Sequence, residues 1–216
     1  MTESCCCGCG PQSLFTGSES IPADAIVLFD GKDLSQWVKR GSDELVEWKV
    51  ENGYFEVVPR TGDICTKELF TDYQVHVEFR LPLMADCKGQ ARANSGVYLQ
   101  GRYEVQVLDS YGLDSKDDDC GGIYRLAAPT VNASRPPEQW QTYDIFFMAP
   151  RFNEKGVKTA PARISVVQNG VWIHHDLKIH EPTGGEIDSN FAEPGPLLLQ
   201  DHHNLVRYRN IWARRL

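Results

Sequence analysis

Tyr73-Gln-Val-His-Val-Glu-Phe-Arg-Leu81 is the stretch of sequence that decides the fold. Apolar side chains occupy every second position from Tyr73 to Leu81, and polar side chains fill the positions between them. Successive side chains of a β-strand point to opposite faces, so this alternation predicts a strand with one buried and one solvated face. Such half-solvated strands are typical of antiparallel sheets.

Several other segments read as strands joined by tight turns. Asn52-Gly53 and Asn169-Gly170 each separate two short apolar runs, and Asn-Gly is a strong hairpin signal because both turn positions need positive φ. No long segment carries a helical apolar stripe with proper caps. The chain is therefore predicted to be all-β, a two-sheet antiparallel β-sandwich. The further strands are predicted at 96–99, 102–108, 139–148, 162–168, 171–179 and 206–214.

Length, charge and hydropathy narrow the class of protein. The chain has 216 residues, a length at which all-β sandwiches commonly form one domain. We expect a single domain over 25–216, preceded by a disordered Cys/Gly/Ser-rich lead-in over 1–24. The net charge of −8 and the lack of a basic stripe argue against a nucleic-acid partner. No apolar run approaches the ~18 residues of a membrane span.

Four of the seven cysteines crowd into the first nine residues, at Cys5, Cys6, Cys7 and Cys9. This spacing does not suit a disulfide framework, because the total is odd and the residues are adjacent. The Cys5–Cys9 cluster could bind a soft metal as thiolates, or it could belong to a disordered end that needs reducing conditions. The start has neither a basic patch nor an apolar run, so a secretory signal is not predicted and the expected location is cytoplasmic.

Two groups of polar residues are candidates for a site. Arg102, Glu104 and Gln106 share one face of the 102–108 strand and could bind a polyhydroxylated ligand, or they could form an ordinary solvated face. The run from Gln200 through Asp201 and His202 to Asn204 follows an apolar segment, where binding loops often lie, although an ordinary polar turn would look the same.

The predicted 171–179 strand contains two adjacent histidines, and the alternation of the strand predicts that they point to opposite faces. His174 shares a face with Asp176 and Lys178, whereas His175 falls among the apolar positions. We therefore expect His175 to be the partly buried, hydrogen-bonded histidine of the pair.

Together, several short strings resemble the 3-keto-disaccharide hydrolase domain family, in that family's order and from about residue 26 to the end. The resemblance implies a concanavalin A-like or laminin-G-like jelly roll with a sugar-binding concave face. It also implies activity on glycosides whose glucose unit is oxidised at carbon 3. The strings are Leu28-Phe-Asp-Gly-Lys-Asp-Leu-Ser-Gln-Trp37, Trp48-Lys-Val-Glu-Asn-Gly53, Asn94-Ser-Gly-Val-Tyr98, Tyr103-Glu-Val-Gln-Val-Leu-Asp109, Gly121-Gly-Ile-Tyr124, Trp140, Gly195-Pro-Leu-Leu-Leu-Gln-Asp-His-His203 and Arg207-Tyr-Arg-Asn-Ile-Trp-Ala-Arg-Arg-Leu216.

Cleavage of such a substrate needs a base for the carbon-2 proton, a donor to the leaving oxygen, and positive charge or a divalent metal near the enolate oxygen. On the resemblance, Glu104 and His202 are the expected acid–base pair and Arg209 the expected enolate stabiliser. Gln106, Tyr124 and Asp201 would orient the sugar or hold a metal, and Arg102 and Gln200 would bind substrate.

The alternative is a carbohydrate-binding module on the same fold, without chemistry. Binding modules typically present exposed aromatic platforms, whereas this candidate site is rich in ionisable groups. In either case the expected partner is a carbohydrate-derived small molecule. The sequence leaves the cofactor, the oligomeric state and the aglycone open.

Overall fold

The computed structural model describes residues 21–216, which form two antiparallel β-sheets with a single 3₁₀ turn at Gly89–Ala91 as their helical content. The predicted cysteine cluster lies outside the described residues. The strands are β1 Ile26–Phe29, β2 Trp37–Lys39, β3 Lys49–Glu51, β4 Tyr54–Glu56, β5 Ile64–Phe70, β6 Tyr73–Arg80, β7 Asn94–Leu99, β8 Tyr103–Leu108, β9 Trp140–Met148, β10 Arg151–Phe152, β11 Lys158–Ala160, β12 Ala162–Gln168, β13 Val171–Ile179, β14 Gly195–Leu199 and β15 Arg207–Arg215.

The larger sheet has eight strands in the order β13-β12-β9-β6-β15-β4-β3, with β1 also paired to β15. The smaller sheet has five strands in the order β2-β5-β14-β7-β8, and β10 and β11 form a separate ribbon. The pairings within residues 21–216 are antiparallel throughout. The predicted all-β, two-sheet antiparallel β-sandwich is therefore confirmed. The same residues contain no helix long and apolar enough to cross a membrane.

The hydrophobic core lies between the two sheets. Val75, Val77 and Phe79 of β6 face inward from the larger sheet, and Val105 and Val107 of β8 face inward from the smaller one. All five are fully buried, as the alternation predicts. Burial of each such side chain stabilises the fold by about 1.5–3 kcal/mol, which fixes the register of both strands.

Both predicted Asn-Gly turns are present. Asn52 and Gly53, with φ of 48° and 79°, connect β3 to β4, and Asn169 and Gly170, with φ of 52° and 81°, connect β12 to β13. Left-handed conformations at both turn positions match the twist of the flanking strands.

The prediction for the histidines of β13 is wrong. His174 is buried, with Nε2 2.8 Å from the carbonyl oxygen of Gly121, and His175 is exposed. The reason is a β-bulge: Leu177 and His174, three positions apart, pair with Ile164 and Val166, which are two apart. The extra residue reverses the alternation beyond it.

Candidate active site

The candidate site lies on the face of the five-stranded sheet that points away from the core. It is built on the edge strand β8, whose Tyr103, Val105 and Val107 pack into the core. The alternate side chains Arg102, Glu104 and Gln106 point the other way, yet they too are buried. The interpretation of this face as an ordinary solvated surface is therefore wrong.

Two segments bury this face by covering the free edge of β8. The first supplies backbone hydrogen bonds around Gly121 and Gly122, which pair with the backbone of Gln106. The second begins at Thr183, whose N–H donates to Arg102 O and whose Oγ1 accepts from Glu104 N at 2.8 Å. An uncovered edge would leave these backbone groups unpaired, so the same contacts that satisfy them also raise walls beside the sheet.

The walls enclose a cavity of about 310 Å³, at the lower end of the volumes of small-molecule sites. Most of its lining residues have polar side chains, and they come from β7, β8 and the segments around them. The lining residues are Gln90, Asn94, Tyr98, Glu104, Gln106, Tyr124, Arg125, Thr183, Gly184, Gly185, Gln200 and His202.

Glu104 is the carboxyl group of this cavity, and its side chain is held in one orientation. Its Oε2 accepts a hydrogen bond of 2.8 Å from the hydroxyl of Tyr98. Its Oε1 lies over Gly96, where any larger residue would overlap it, and has no hydrogen-bond partner within residues 21–216. Burial raises the pKa of Glu104 to about 7, although the Tyr98 hydrogen bond lowers it, and the charge of Asp63 raises it further.

Three amide side chains form one wall of the cavity. The 3₁₀ turn places Gln90 so that its Oε1 accepts from Gln106 Nε2 at 3.1 Å and from Asn94 Nδ2 at 3.0 Å. Gln90 Nε2 donates to Asp118 O at 2.6 Å, while the buried Oδ1 of Asn94 has no partner among the described residues. A cluster of amides fixed by hydrogen bonds suits a ligand that carries hydroxyl groups.

The lining also includes two basic side chains, His202 and Arg125. His202 is exposed there, after β14, and Gln200 donates from Nε2 to the hydroxyl of Tyr98 at 3.3 Å. Arg125 is exposed as well, has a φ of 58°, and holds its guanidinium 5.2 Å from the centre of the Tyr124 ring.

The structure brings together five of the residues predicted from the sequence, and all of them line the one cavity: Glu104, Gln106, Tyr124, Gln200 and His202. It does not bring Arg102, Asp201 or Arg209 there. Each of these three has another position, with its own physical reason.

Arg102 is an anchor for the wall. Its Nε and Nη2 donate to the carboxylate of Asp188 at 2.9 and 3.2 Å, and its Nη1 donates to Glu193 O at 2.9 Å. The guanidinium is thereby committed to the 183–193 segment, which we call the covering loop. The expectation that Arg102 binds substrate is not met by this geometry, because the fork is already occupied.

The carboxylate of Asp201 binds backbone N–H groups and does not face the cavity. Its carboxylate accepts from the backbone N–H groups of Gly62 at 3.1 Å and His203 at 2.9 Å, and its side chain is almost fully buried. These contacts shape the loop that carries His202, so Asp201 supports the site without lining it.

Arg209 lies on the other sheet. It belongs to β15, where its Nε donates to Glu78 at 2.7 Å and its guanidinium lies 4.1 Å from the Trp140 ring centre. The core separates it from Glu104, so the expected contact with an enolate is not met. Of the Arg and Lys side chains in residues 21–216, Arg125 alone lines the cavity.

The possibility of a metal was left open by the sequence. Within residues 21–216, no group of three or more His, Cys, Asp or Glu side chains is placed to hold a metal ion. Asp201, the predicted carboxylate ligand, is bound to backbone groups instead. We therefore derive no step through a metal.

Sequence reasoning missed Tyr98, Gln90, Asn94, Arg125 and Thr183. A signal for two of them was present, because Asn94, Gly96 and Tyr98 share one face of β7 by simple alternation. Gln90, Arg125 and Thr183 lie outside the strands, so no periodicity marks them.

Known proteins with the same β-sandwich fold are similar to this chain over most of its length. A model of the 3-keto-alpha-glucoside-1,2-lyase-like domain matches residues 24–214, whereas no protein of curated function matches the chain. A candidate glycosyl hydrolase from Parabacteroides distasonis is 41% identical, with a TM-score of 0.82 over 90% of this chain and 85% of that one. A second such protein from that organism is 19% identical, with a TM-score of 0.63 over 89% and 94% of the two chains, and shares the fold. The chain therefore belongs to the 3-keto-alpha-glucoside-1,2-lyase-like domain family.

Proposed function

We propose that the chain is an enzyme that cleaves glycosides whose glucose unit is oxidised at carbon 3, by proton abstraction at carbon 2 and β-elimination, followed by hydration. Family membership and the 41% identical candidate glycosyl hydrolase support a carbohydrate-active, glycoside hydrolase-like enzyme. The cavity supports the finer proposal, because it combines one base with amides suited to a sugar.

The observation that carries the proposal is the state of Glu104. A buried carboxyl group with a pKa of about 7 is half ionised near neutral pH, where a general base is most effective. Its Oε1 has no protein partner within the described residues and fills the space that a side chain at position 96 would occupy. A carbon acid acidified by a neighbouring ketone is a suitable substrate for such a base.

The reaction then follows in balanced steps. Glu104 takes the carbon-2 proton, the electron pair of the carbon–hydrogen bond forms a double bond between carbons 2 and 3, and the carbonyl pair moves to the carbon-3 oxygen to give an enolate. Arg125 would stabilise that negative oxygen, as preorganised cations do. The enolate collapses, the bond from carbon 1 to the glycosidic oxygen breaks, and His202 protonates the departing oxygen. Water then adds its oxygen to carbon 1 and its proton restores His202, while Glu104 returns its proton to carbon 2, which gives the 3-keto sugar.

The composition of the cavity favours elimination over ordinary glycoside hydrolysis. Ordinary glycosidases usually need two carboxyl groups, one as acid and one as nucleophile or base. Among the lining residues found in the described part of the chain, Glu104 alone carries a carboxyl group. Elimination from a 3-keto sugar needs one base, a proton donor and a cation, and the lining supplies a candidate for each.

The test is turnover of a chromogenic 3-keto-glucoside. We expect Glu104→Gln and His202→Ala each to lower kcat by about 10²–10⁴-fold, because each removes a proton-transfer group. The double variant should lose less than the product of the single losses, since the two groups act in one sequence. Turnover of the unchanged protein should rise with pH through about 7, as Glu104 ionises.

Two controls make the test specific. A plain glucoside without the 3-keto group should not react, because its carbon-2 hydrogen is not acidic. Arg125→Met should lower turnover, whereas Arg209→Met, on the opposite sheet and paired with Glu78, should retain it. Rapid hydrolysis of the plain glucoside, or full activity of Glu104→Gln, would refute the elimination route.

A further inference from the structure

Tyr98 and Glu104 lie directly opposite each other in the β7–β8 pair. The hydroxyl of Tyr98 donates its one hydrogen to Glu104 Oε2 at 2.8 Å. The same oxygen accepts from Gln200 Nε2 at 3.3 Å, and the backbone oxygen of Gln200 accepts from Ser95 Oγ at 2.6 Å. The phenol is therefore fixed from two sides, with its hydrogen committed to the carboxylate.

This arrangement makes the two oxygens of Glu104 unequal. Oε2 is held by Tyr98, whereas Oε1 is directed over Gly96 and has no partner in the described residues. A side chain at position 96 would overlap Oε1, so the glycine makes room for this oxygen, which is not among the fully enclosed unpaired atoms of the described residues. Only one of the two oxygens is thus available to a ligand in the cavity.

We propose that Tyr98 is the positioning residue of the base: it holds Oε2 of Glu104 so that Oε1 alone receives the substrate proton. This inference rests on the proposed function, because it assigns Tyr98 a part in the same proton transfer. Gln200 extends the arrangement, since its donor fixes the phenol oxygen from behind.

Tyr98 acts as a permanent donor. Burial and the neighbouring charge of Glu104 raise the pKa of Tyr98 well above its ordinary value, so the phenol stays protonated throughout the range in which Glu104 titrates. Its hydrogen bond favours the ionised carboxylate and lowers the pKa of Glu104 against the effect of burial. Removing the hydroxyl should therefore raise the pH at which the base becomes active.

Other charged groups also face this pair. Asp63 raises the pKa of both Glu104 and Tyr98, and Arg40, paired with Asp63 at 2.9 Å, lowers that of Tyr98. Arg125 and His202 line the same cavity. None of these groups is altered when Tyr98 becomes phenylalanine, so a shift of the Glu104 midpoint in that variant reports the lost hydrogen bond.

The experiment compares Tyr98→Phe with the unchanged protein by two readouts. The first is the carbon-13 NMR titration of the Glu104 carboxyl, assigned by its loss in Glu104→Gln, and it needs no substrate. The second is the pH profile of kcat/KM on the 3-keto-glucoside. We expect both midpoints to rise by about one pH unit or more, because a hydrogen bond to a charged group is lost.

Tyr103→Phe is the matched control. It removes a phenol hydroxyl from the same hairpin, but its ring packs in the core against Phe147, so both midpoints should stay unchanged. A folded Tyr98→Phe protein with the original Glu104 midpoint and turnover would overturn the positioning role alone. Full turnover of Glu104→Gln would instead overturn the proposed function, whatever the NMR titration of Tyr98→Phe gives.

Discussion

At the scale of single residues, Glu104 links activity to stability. Its pKa is raised from 4.5 to about 7, chiefly because burial disfavours the charged form. Below pH 4.5 the group is protonated in both the folded and unfolded states. Between 4.5 and 7 the unfolded chain releases this proton and the folded chain keeps it. The free energy of unfolding therefore falls as pH rises through this window, by a total on the order of 3 kcal/mol.

Glu104→Gln should remove this dependence. The variant cannot ionise, so we expect its free energy of unfolding to increase relative to the unchanged protein between pH 5 and pH 8, measured by denaturant titration. Glu78→Gln is a control of opposite sign. The nearby His76 and hydrogen bonds from Asn210 and Arg209 outweigh burial and lower the pKa of Glu78 to about 2, so its stabilisation is present above 4.5 and lost as pH falls towards 2. A parallel response of the two variants would contradict this account.

At the scale of elements, the covering loop is held by two guanidinium groups, one of them buried. Arg102 is almost fully buried and holds both Asp188 and Glu193, while Arg40 donates to Gly185 O at 3.0 Å and Glu186 O at 2.8 Å. Gly184 and Gly185 of this loop line the cavity. The position of one wall is thus set by hydrogen bonds from two guanidinium groups, together with the backbone contacts of Thr183, and not by a further strand.

Arg102→Met should release that wall while leaving β8 in its sheet. We expect kcat/KM on the 3-keto-glucoside to fall by about 10–100-fold, mainly through KM, because the ligand loses a positioned wall while the base remains. Arg163→Met is the matched control, since it breaks an exposed ion pair with Asp176 on the other sheet and should change neither constant. A loss of kcat with KM unchanged would contradict the proposal that Arg102 acts by holding the wall of the cavity.

At the scale of the whole molecule, β8 contributes side chains both to the hydrophobic core and to the cavity. Val107 faces the core between the sheets, and its neighbour Gln106 faces the cavity. We expect Val107→Asp to lower the free energy of unfolding by about 3–5 kcal/mol, because it places an unpaired charge in the core. Denaturant unfolding of Val171→Asp gives the comparison, because Val171 is exposed on β13 and this variant should lose far less. Equal losses would mean that the charge, and not its burial, destabilises the protein.

The sequence by itself determined the fold class and the strands that carry the site. Alternation with a period of two is a local property, and it was sufficient to assign Tyr73–Arg80 and Tyr103–Leu108 to strands with one core face each. It also put Glu104 and Gln106 on the face opposite the core. The Asn-Gly pairs fixed two hairpins, because their backbone preference is equally local.

Only the tertiary structure decided which polar residues meet. Glu104 and His202 are far apart in the sequence but line the same cavity. They come close because β8 and β14 are separated by only one strand, β7, in the sheet. Arg209 has a suitable side chain but belongs to the other sheet, and Arg102 is used by the covering loop. A bulge in β13 exchanged the predicted environments of His174 and His175. Strand order, covering segments and bulges depend on contacts between distant parts of the chain, and a local pattern does not encode them.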